Sequence, residues 1–168
     1  MLYRLINGYL EILLLHPGGP FYLKKDLGVW SIPKGEFEDE DPKIAALREF
    51  KEETGLTLSD ELLYLGEIKM KSGKLVYCWA KEGGFDISLF KSNLFDLEWP
   101  PKSGKIQQFP EMDKAEWFIY NEAKNKIHPS QFSFVDKLID LLKLSNSEIY
   151  PVVRQPNTNK GRQLDLFS

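Results

Sequence analysis

The most constraining feature of this 168-residue sequence is a helix whose two ends are both marked by residues typical of helix termini. Asp41 suits the N-cap position, where a carboxylate accepts hydrogen bonds from the unpaired amides of the first turn, and Pro42 fits the first helical position. Gly55 is a good C-terminal stop because it readily adopts the left-handed conformation. The sequence therefore predicts a helix from Pro42 to about Thr54, around which the other elements are arranged.

Patterns typical of β-strands lie on both sides of this helix. The pair Asn7-Gly8 between two apolar runs is a strong hairpin signal and predicts two short strands within residues 2–16. Further strands are predicted at residues 30–32, 62–70, 74–80 and 115–119. Residues 81–104 are predicted to be irregular, because Trp99-Pro100-Pro101 excludes a helix and a central strand.

The C-terminal part predicts two helices followed by a tail. A short helix is expected from Asn121, and residues 129–143 predict an amphipathic helix because their apolar residues recur at helical spacing. From Ser145 the chain is mostly polar, which favours a flexible tail. We therefore divide the sequence into one domain, residues 1–144, and a tail, residues 145–168. Periodicity predicts the α/β (α+β) class, and the order of elements favours an α/β/α sandwich.

The composition excludes several classes of protein. The formal net charge of −3 gives no reason to expect binding to nucleic acid or to an anionic membrane surface. No stretch approaches the roughly 18 apolar residues of a membrane span, and the N-terminus lacks the pattern of a signal peptide. The single cysteine, Cys78, cannot form an internal disulfide and is expected in the core. These features predict a cytoplasmic protein.

Three carboxylates share one face of the predicted helix. At about 100° per residue, Glu49, Glu52 and Glu53 fall within an arc of roughly 100°. They repel one another, so the cluster favours a bound cation, and hard oxygen ligands point to Mg²⁺ or Mn²⁺. Arg48, one turn before Glu52, can pair with a carboxylate and fix its rotamer. The alternative is a solvated acidic face in which Arg48 and Lys51 form ordinary surface pairs.

The end of this helix carries the motif Arg48-Glu49-Phe50-Lys51-Glu52-Glu53-Thr54-Gly55-Leu56. The motif resembles the second half of the Nudix box at every fixed position, and Glu40, with seven residues between it and Arg48, matches the earlier Glu of the box. Residues 30–35 resemble the strand and loop that enter the box. The chain is identified on these residues as a member of the Nudix hydrolase family. Residues 16–20, 99–105, 109–111 and 115–118 are similar to a bacterial subgroup described as predicted NTP pyrophosphohydrolases.

The resemblance implies a Nudix-type sandwich with a mixed central sheet and cleavage of a phosphoanhydride bond in a nucleoside diphosphate-linked substrate. It implies that Glu49, Glu52 and Glu53 bind divalent ions, that Gly35 contributes its backbone oxygen, and that Arg48 orients the carboxylates. Bound metal neutralises phosphate oxygens and activates a water molecule, and one Glu acts as base. Some family members use a further, distant Glu, for which Glu98 and Glu111 are the candidates; the sequence does not choose between them.

The chain departs from the family pattern in the loop before the helix. Only four residues separate Gly35 from Glu40, where the box has five. Reading Asp41 as the acid restores five residues but leaves six before Arg48. This shortened loop keeps an alternative open, in which the chain is a catalytically weak Nudix-fold binding module. Relatives also carry more of a first strand before the position of Leu2.

Several basic and aromatic residues are candidates for binding the substrate. Lys34 follows Pro33 at the entry to the box, and Lys74 and Lys105 each end a Lys-Ser-Gly-Lys turn. Tyr22 and Trp30 are candidates for stacking on a base, although such aromatics are more often core residues. His16 and His128 are expected to be structural. Pro33-Lys34-Gly35 is similar to the entry found in enzymes that cleave diadenosine polyphosphates, so the substrate is expected to be an NTP, a dNTP or a dinucleoside polyphosphate.

The last residues form a separate motif. Gln163-Leu164-Asp165-Leu166-Phe167 resembles the peptide by which many bacterial replication and repair proteins dock on the DNA sliding clamp. The anchor would be Leu166 and Phe167, adjacent apolar residues on a polar tether, together with Gln163 and Leu164. The alternative is that the tail folds back on its own domain or onto the other subunit of a homodimer. The sequence does not settle the oligomeric state.

Overall fold

The computed structural model describes residues 1–70 and 73–150. Within them the chain forms β1 (Leu2–Ile6), β2 (Tyr9–Pro17), α1 (Pro42–Thr54), β3 (Leu63–Lys69), β4 (Leu75–Glu82), β5 (Leu94–Glu98), β6 (Ile106–Pro110), β7 (Met112–Ile119), α2 (Tyr120–Lys126), α3 (Phe132–Leu142) and α4 (Asn146–Ile149). The expected α1 is confirmed, and so are the strands expected within residues 2–16, 62–70, 74–80 and 115–119.

The central sheet is mixed. Its strand order is β3-β4-β1-β2-β7, with β1 parallel to β4 and the other neighbouring pairs antiparallel. The predicted hairpin joins β1 to β2, and both turn residues, Asn7 and Gly8, have positive φ angles of 52° and 79°. Asparagine and glycine tolerate this conformation, which explains the strength of the Asn-Gly signal.

Strand β2 shows why the sheet lies between two layers of helices. Its residues are buried on both faces. Leu13 and Leu15 belong to an apolar cluster with Phe50 of α1, whereas Leu10, Ile12 and Leu14 belong to the larger cluster with α2 and α3. Successive side chains of a strand point to opposite faces, so α1 covers one face and α2 and α3 cover the other. The predicted α/β/α sandwich is confirmed.

The expectation that residues 81–104 are irregular is wrong in part. Strand β5 lies within this range and pairs with β6 to form a two-stranded sheet, with Phe95 opposite Phe109. The Pro100-Pro101 pair is in the turn between these strands, so neither proline removes a hydrogen bond from the ladder. The brief strand expected at residues 30–32 is reduced to two isolated bridges, Leu15–Ser31 and Trp30–Ile127.

The C-terminal elements also differ from the prediction. A short 3₁₀ helix occupies Pro129–Gln131, so α3 begins only at Phe132. Helix α4 lies within the expected tail, and Ile149 is only 7% exposed and packs in the larger cluster. Packed structure therefore continues past residue 144 as far as Ile149. In the ranges 1–70 and 73–150, no helix has the length and hydrophobicity needed to cross a membrane.

Candidate active site

Helix α1 is fixed at both ends and along its buried face. The Asp41 carboxylate accepts hydrogen bonds from the amides of Lys43, at 2.8 Å, and Ile44, at 3.3 Å. Gly55 has a φ of 78°, and its N–H donates to a carbonyl in the last turn. Phe50 anchors the helix in the smaller cluster. These contacts hold the carboxylate-bearing face of α1 beside the loop of residues 33–40.

Gly35 lies directly against the carboxylate of Glu49. A β-carbon at Gly35 would overlap the carboxyl carbon and both oxygens of Glu49. Only glycine leaves this space, because it has no side chain. The backbone of the loop at Gly35 can therefore lie directly against the Glu49 carboxylate. Gly35 and Glu49, both predicted site residues, are thus brought together.

Glu53 is a charged residue in an unusual place. It is only 5% exposed, and its carboxylate accepts a hydrogen bond of 2.8 Å from the backbone amide of Lys34. Burial raises the pKa of the Glu53 carboxyl to about 7; the charges of Glu49 and Glu111 act in the same direction, and the Lys34 amide opposes them. A cation beside Glu53 would relieve this cost, because it favours the ionised carboxylate.

Arg48 ties the loop to the helix. Its guanidinium donates to the Glu40 carboxylate at 2.6 Å, to Glu49 at 2.7 Å, to Glu52 at 3.2 Å and to the Glu36 carbonyl at 3.3 Å. Hydrogen bonds with Glu40 and then Glu49 hold the pKa of Arg48 above its usual range. The predicted orienting role of Arg48 agrees with this geometry, and the alternative of ordinary surface pairs accounts less well for a guanidinium shared among several acidic groups.

The oxygen donors of this site suit a hard divalent cation. Glu49, Glu52 and Glu53 offer carboxylates, and Gly35 offers a carbonyl, with no nitrogen or sulfur ligand among them. Across residues 1–70 and 73–150, however, no three acidic, histidine or cysteine side chains already stand close enough together to hold a metal ion. Arg48 engages Glu49 and Glu52, while Lys34 engages Glu53. Binding a cation here would require the carboxylates to exchange these partners for the metal.

Two cavities among the described residues flank the loop that carries Gly35. The larger has a volume of about 600 Å³ and the smaller about 390 Å³. Both are lined by Lys34 and Lys74, and Tyr22 lines the smaller one. Lys74 forms an ion pair with Glu36, which lines both cavities. Three of the four predicted substrate-binding residues, Lys34, Lys74 and Tyr22, therefore line a cavity at this loop.

The other predicted residues lie apart from this arrangement. Lys105 follows the β5–β6 turn, where its carbonyl accepts from the Trp99 amide, outside the walls of both cavities. The Glu98 carboxylate accepts a hydrogen bond of 2.7 Å from the Gly104 amide and so closes the same turn. Glu111, in contrast, is close enough to Glu53 to raise its pKa. Of the two candidates for a distant Glu, Glu111 is therefore the one whose charge acts on Glu53.

The two histidines, Trp30 and Cys78 have structural environments. His16 is buried; its Nε2 donates to the Lys25 carbonyl at 2.8 Å, and its Nδ1 lies 2.6 Å from the Asp113 carboxylate. Trp30 packs edge-on against His16 and is also buried. His128 caps the 3₁₀ helix through Ser130, and Cys78 lies in the core.

Sequence reasoning missed two features of the site. The buried Gln131 accepts a hydrogen bond of 3.0 Å from the Ile32 amide and lines both cavities, so it fixes the segment that enters the loop. Phe37, Tyr77 and Trp79 line the larger cavity. No motif marks Gln131, but the alternation of Tyr77 and Trp79 with small apolar residues is a signal that one face of β4 differs from the other.

The sequence also matches a model of a known protein family. The model is described as the NUDIX domain, and the match extends over residues 3–138, most of the chain and all of the site. This chain belongs to the Nudix hydrolase family. No curated protein shows significant sequence similarity to it.

Solved structures share the Nudix fold at low sequence identity. A binary complex of an Ap4A hydrolase from C. elegans is 24% identical, with a TM-score of 0.55 and coverage of 84% of this chain and 94% of that chain. The NUDIX domain of NrtR from Shewanella oneidensis, in complex with ADP ribose, is 15% identical, with a TM-score of 0.56 and coverage of 84% and 83%. The C-terminal domain of mouse MUTYH, in complex with human PCNA, is 15% identical, with a TM-score of 0.52 and coverage of 86% of both chains.

The structure also gives the consequence of the shortened Nudix loop. Glu40, rather than Asp41, pairs with Arg48, and Asp41 instead caps α1. Gly35 still packs on Glu49 despite the missing residue. The loop therefore brings the glycine and the first acid of the box to the helix.

The predicted clamp-binding residues Gln163, Leu164, Leu166 and Phe167 lie outside the described residues.

Proposed function

We propose that this Nudix protein is a Mg²⁺-dependent hydrolase that cleaves a phosphoanhydride bond in a nucleotide, with Mn²⁺ as a substitute ion. The observation that carries the proposal is the contact of Gly35 with Glu49 beside the buried carboxylate of Glu53. A buried carboxylate next to a second one is costly without a cation. This cost supports a metal site rather than a purely structural acidic cluster.

Each residue of the site has a role that follows from its position. Glu49, Glu52, Glu53 and the Gly35 carbonyl would hold the metal, which supplies positive charge to the phosphate oxygens and lowers the pKa of a bound water. Arg48 keeps the Glu49 and Glu52 carboxylates on the side facing the loop. Glu111, electrostatically coupled to Glu53, is the candidate for accepting a proton from the attacking water.

The substrate is proposed to be a nucleoside polyphosphate or a dinucleoside polyphosphate. Lys34 and Lys74 line both cavities at the loop and would contact the phosphates there. The similar structures from C. elegans and S. oneidensis are an Ap4A hydrolase and a domain in complex with ADP ribose, so their names agree with a nucleotide ligand. We place the reaction in the cytoplasm.

Phosphate release against a panel of nucleotides tests this proposal. The panel would contain dNTPs, 8-oxo-dGTP, diadenosine polyphosphates, nucleotide sugars and capped RNA, each with Mg²⁺ and with EDTA. We expect turnover of at least one member with Mg²⁺ and its loss with EDTA. Turnover that persists in EDTA would contradict the metal role, and no turnover of any member would favour the alternative of a binding module.

A partner is proposed for the C-terminal motif. Gln163, Leu164, Leu166 and Phe167 would bind the DNA sliding clamp, and the low identity to the MUTYH domain solved with PCNA adds no argument beyond the shared fold. Deletion of residues 163–168 should abolish binding to a purified bacterial clamp in a pull-down while leaving hydrolysis unchanged. Equal clamp binding by the full and shortened chains would remove this proposal.

A further inference from the structure

His16, next to the last residue of β2, is buried with a hydrogen-bond acceptor at each ring nitrogen. Its Nδ1 lies 2.6 Å from the Asp113 carboxylate, its Nε2 lies 2.8 Å from the Lys25 carbonyl oxygen, and the residue is only 2% exposed. An ionised carboxylate and a carbonyl oxygen only accept hydrogen bonds. Both contacts are therefore hydrogen bonds when both ring nitrogens carry protons, and His16 then joins two distant segments of the chain as a cation.

The surroundings of His16 suit a positive charge. The Asp113 carboxylate is its direct ion-pair partner. The pKa of Asp26 lies below its usual range, first through hydrogen bonds with Lys126 and Trp30 and in part through the charge of His16. A buried cation needs compensation of this kind, because it has lost its contact with water.

Asp113 is the extra residue of a β-bulge in β7. The register pairs His16 with Lys114 and Pro17 with Met112, so β7 advances by two residues where β2 advances by one. A bulge bends its strand and re-aims the neighbouring side chains, and bulges are frequent next to active sites. Because His16 binds the carboxylate of the bulged residue, it holds the bulge in place from the adjacent strand.

Glu111 lies two residues before this bulge, between β6 and β7. Its carbonyl accepts a hydrogen bond of 2.8 Å from the Gly18 amide, and its amide donates to the Asn93 carbonyl at 2.9 Å. Gly18 approaches so closely that a β-carbon there would lie 2.0 Å from the Pro110 carbonyl oxygen. The Glu111 side chain is exposed. Its backbone, rather than side-chain packing, therefore sets where the carboxylate lies relative to Glu53.

The second bond of His16 holds the loop of residues 18–28. Lys25 accepts this bond with its carbonyl, and its own amide donates to the Tyr22 carbonyl at 2.8 Å. The Lys25 ammonium group also lies 4.9 Å from the centre of the Tyr22 ring. Tyr22 in turn lines the smaller cavity. His16 is thus bonded both to the bulge that follows Glu111 and to the loop that forms one wall of this cavity.

We propose that His16 is a positioning residue for Glu111, on which it acts by holding the bulge at Asp113. Through Lys25 it also holds the wall of the smaller cavity. The inference rests on the proposed function, because the direction of the Glu111 carboxylate affects turnover only if that carboxylate accepts the proton of the attacking water. It assigns a role to a buried histidine and to a bulge that lie outside the Nudix box.

A double-mutant cycle between Asp113 and Glu111 tests the inference by turnover. Asp113→Ala should lower kcat about tenfold, because a small displacement of a catalytic group is costly. KM should stay unchanged, because the bond from His16 to Lys25 remains. In the Glu111→Gln background the same substitution should cost less than about twofold, because the carboxylate that it displaces is already absent. Asp113→Asn keeps an acceptor oxygen for His16 and should restore most of kcat.

The control is Glu116→Ala, which removes an exposed carboxylate from the same strand and should leave kcat unchanged. A tenfold loss from Asp113→Ala in both backgrounds would overturn the inference alone, since the effect would then not pass through Glu111. Wild-type turnover by Glu111→Gln would overturn the proposed role of Glu111, and the positioning role of His16 with it.

Two measurements on the metal-free protein need no substrate. In hydrogen exchange, Asp113→Ala should lower the protection of the Gly18 amide about tenfold, because the bulge no longer holds the backbone that binds it. The Gly55 amide, bonded to the Lys51 carbonyl, should keep its protection, and Glu116→Ala should change neither amide. Nitrogen NMR at about pH 6 should show a proton on both ring nitrogens of His16. Unchanged Gly18 protection in Asp113→Ala, or one bare nitrogen on His16, would overturn the inference whether or not a substrate is cleaved.

Discussion

The carboxylate of Glu49 occupies the space next to Gly35 that the side chain of any other residue would fill. The contact joins the loop before α1 to the middle of the helix, and Arg48 reinforces it by binding Glu49 and the Glu36 carbonyl. A close approach of this kind is specific to glycine. The geometry of the proposed metal site therefore depends on the absence of a side chain at Gly35.

Gly35→Ala should reduce turnover much more than it reduces stability. The added methyl group displaces the end of the flexible Glu49 side chain, so the fold adapts while the carboxylate moves. We expect kcat to fall by about 100-fold, as for other small displacements in active sites, with a nearly unchanged urea midpoint. Gly84→Ala is the control, because a β-carbon at Gly84 has no atom within 4 Å. Equal kcat for the two variants would show that Glu49 is not positioned by Gly35.

The buried Glu53 makes stability depend on pH in the metal-free protein. Its pKa is about 7 in the folded state, against a usual value of 4.5. The folded state therefore holds a proton that the unfolded state has lost between these values, and the free energy of unfolding falls as pH rises from about 4.5 to about 7. The shift corresponds to roughly 3 kcal/mol, at about 1.4 kcal/mol per pKa unit.

Glu53→Gln should remove this dependence. Glutamine can still accept the hydrogen bond from the Lys34 amide, but it does not ionise. In EDTA, we expect the variant to be more stable than the wild type at pH 8 and similar to it at pH 4.5, as measured by urea unfolding. A variant that is less stable than the wild type at pH 8 would show that burial does not penalise the Glu53 charge.

Lys74 and Lys105 each end the sequence Lys-Ser-Gly-Lys but should differ in function. Lys74 lines both cavities, whereas Lys105 lies in the β5–β6 hairpin outside them. We expect Lys74→Met to raise KM about tenfold through loss of a charge-assisted contact with phosphate. Lys105→Met should leave KM unchanged in steady-state assays. An equal rise in KM in both variants would indicate that the phosphate chain of the substrate also contacts the β5–β6 hairpin.

Glu111 and Glu98 form a second matched pair. Glu111 lies in the field of Glu53, while Glu98 is occupied by the Gly104 amide. Glu111→Gln should lower kcat by about 100-fold if its carboxylate accepts the proton of the attacking water. Glu98→Gln should affect only the hairpin turn. A larger loss of kcat in Glu98→Gln than in Glu111→Gln would assign the proton-accepting role to Glu98 instead.

Helix α1 was predictable from the sequence because local chemistry decides it. Asp41, Pro42 and Gly55 act through hydrogen bonds and backbone angles within a few residues, and the structure keeps both ends as predicted. The pairing of Arg48 with Glu52 follows in the same way from helical spacing. The burial of β2 on both faces was also predictable from the sequence, because its run of apolar residues has no polar face.

Features that depend on distant parts of the chain were not predictable. Strand β5 needs β6 as its partner, and the sequence between them contains prolines that argue against strands until the turn is known. The proximity of Glu111 to Glu53 arises from sheet and loop packing over more than fifty residues. The aromatic face of β4 was missed because alternation shows that two faces differ, but not that α1 leaves one of them open.

The most direct test of the account compares phosphate release by the wild type with that of Glu52→Gln and Glu53→Gln, with saturating Mg²⁺ and a cleaved member of the nucleotide panel. We predict a loss of more than about 100-fold in both variants, since losing even a group that only supports a metal ligand costs about 10–100-fold. Circular dichroism should remain unchanged, and Glu122→Gln, an exposed carboxylate of α2, should keep full activity. Wild-type rates in both site variants would contradict the assignment of these carboxylates to a metal-dependent hydrolase.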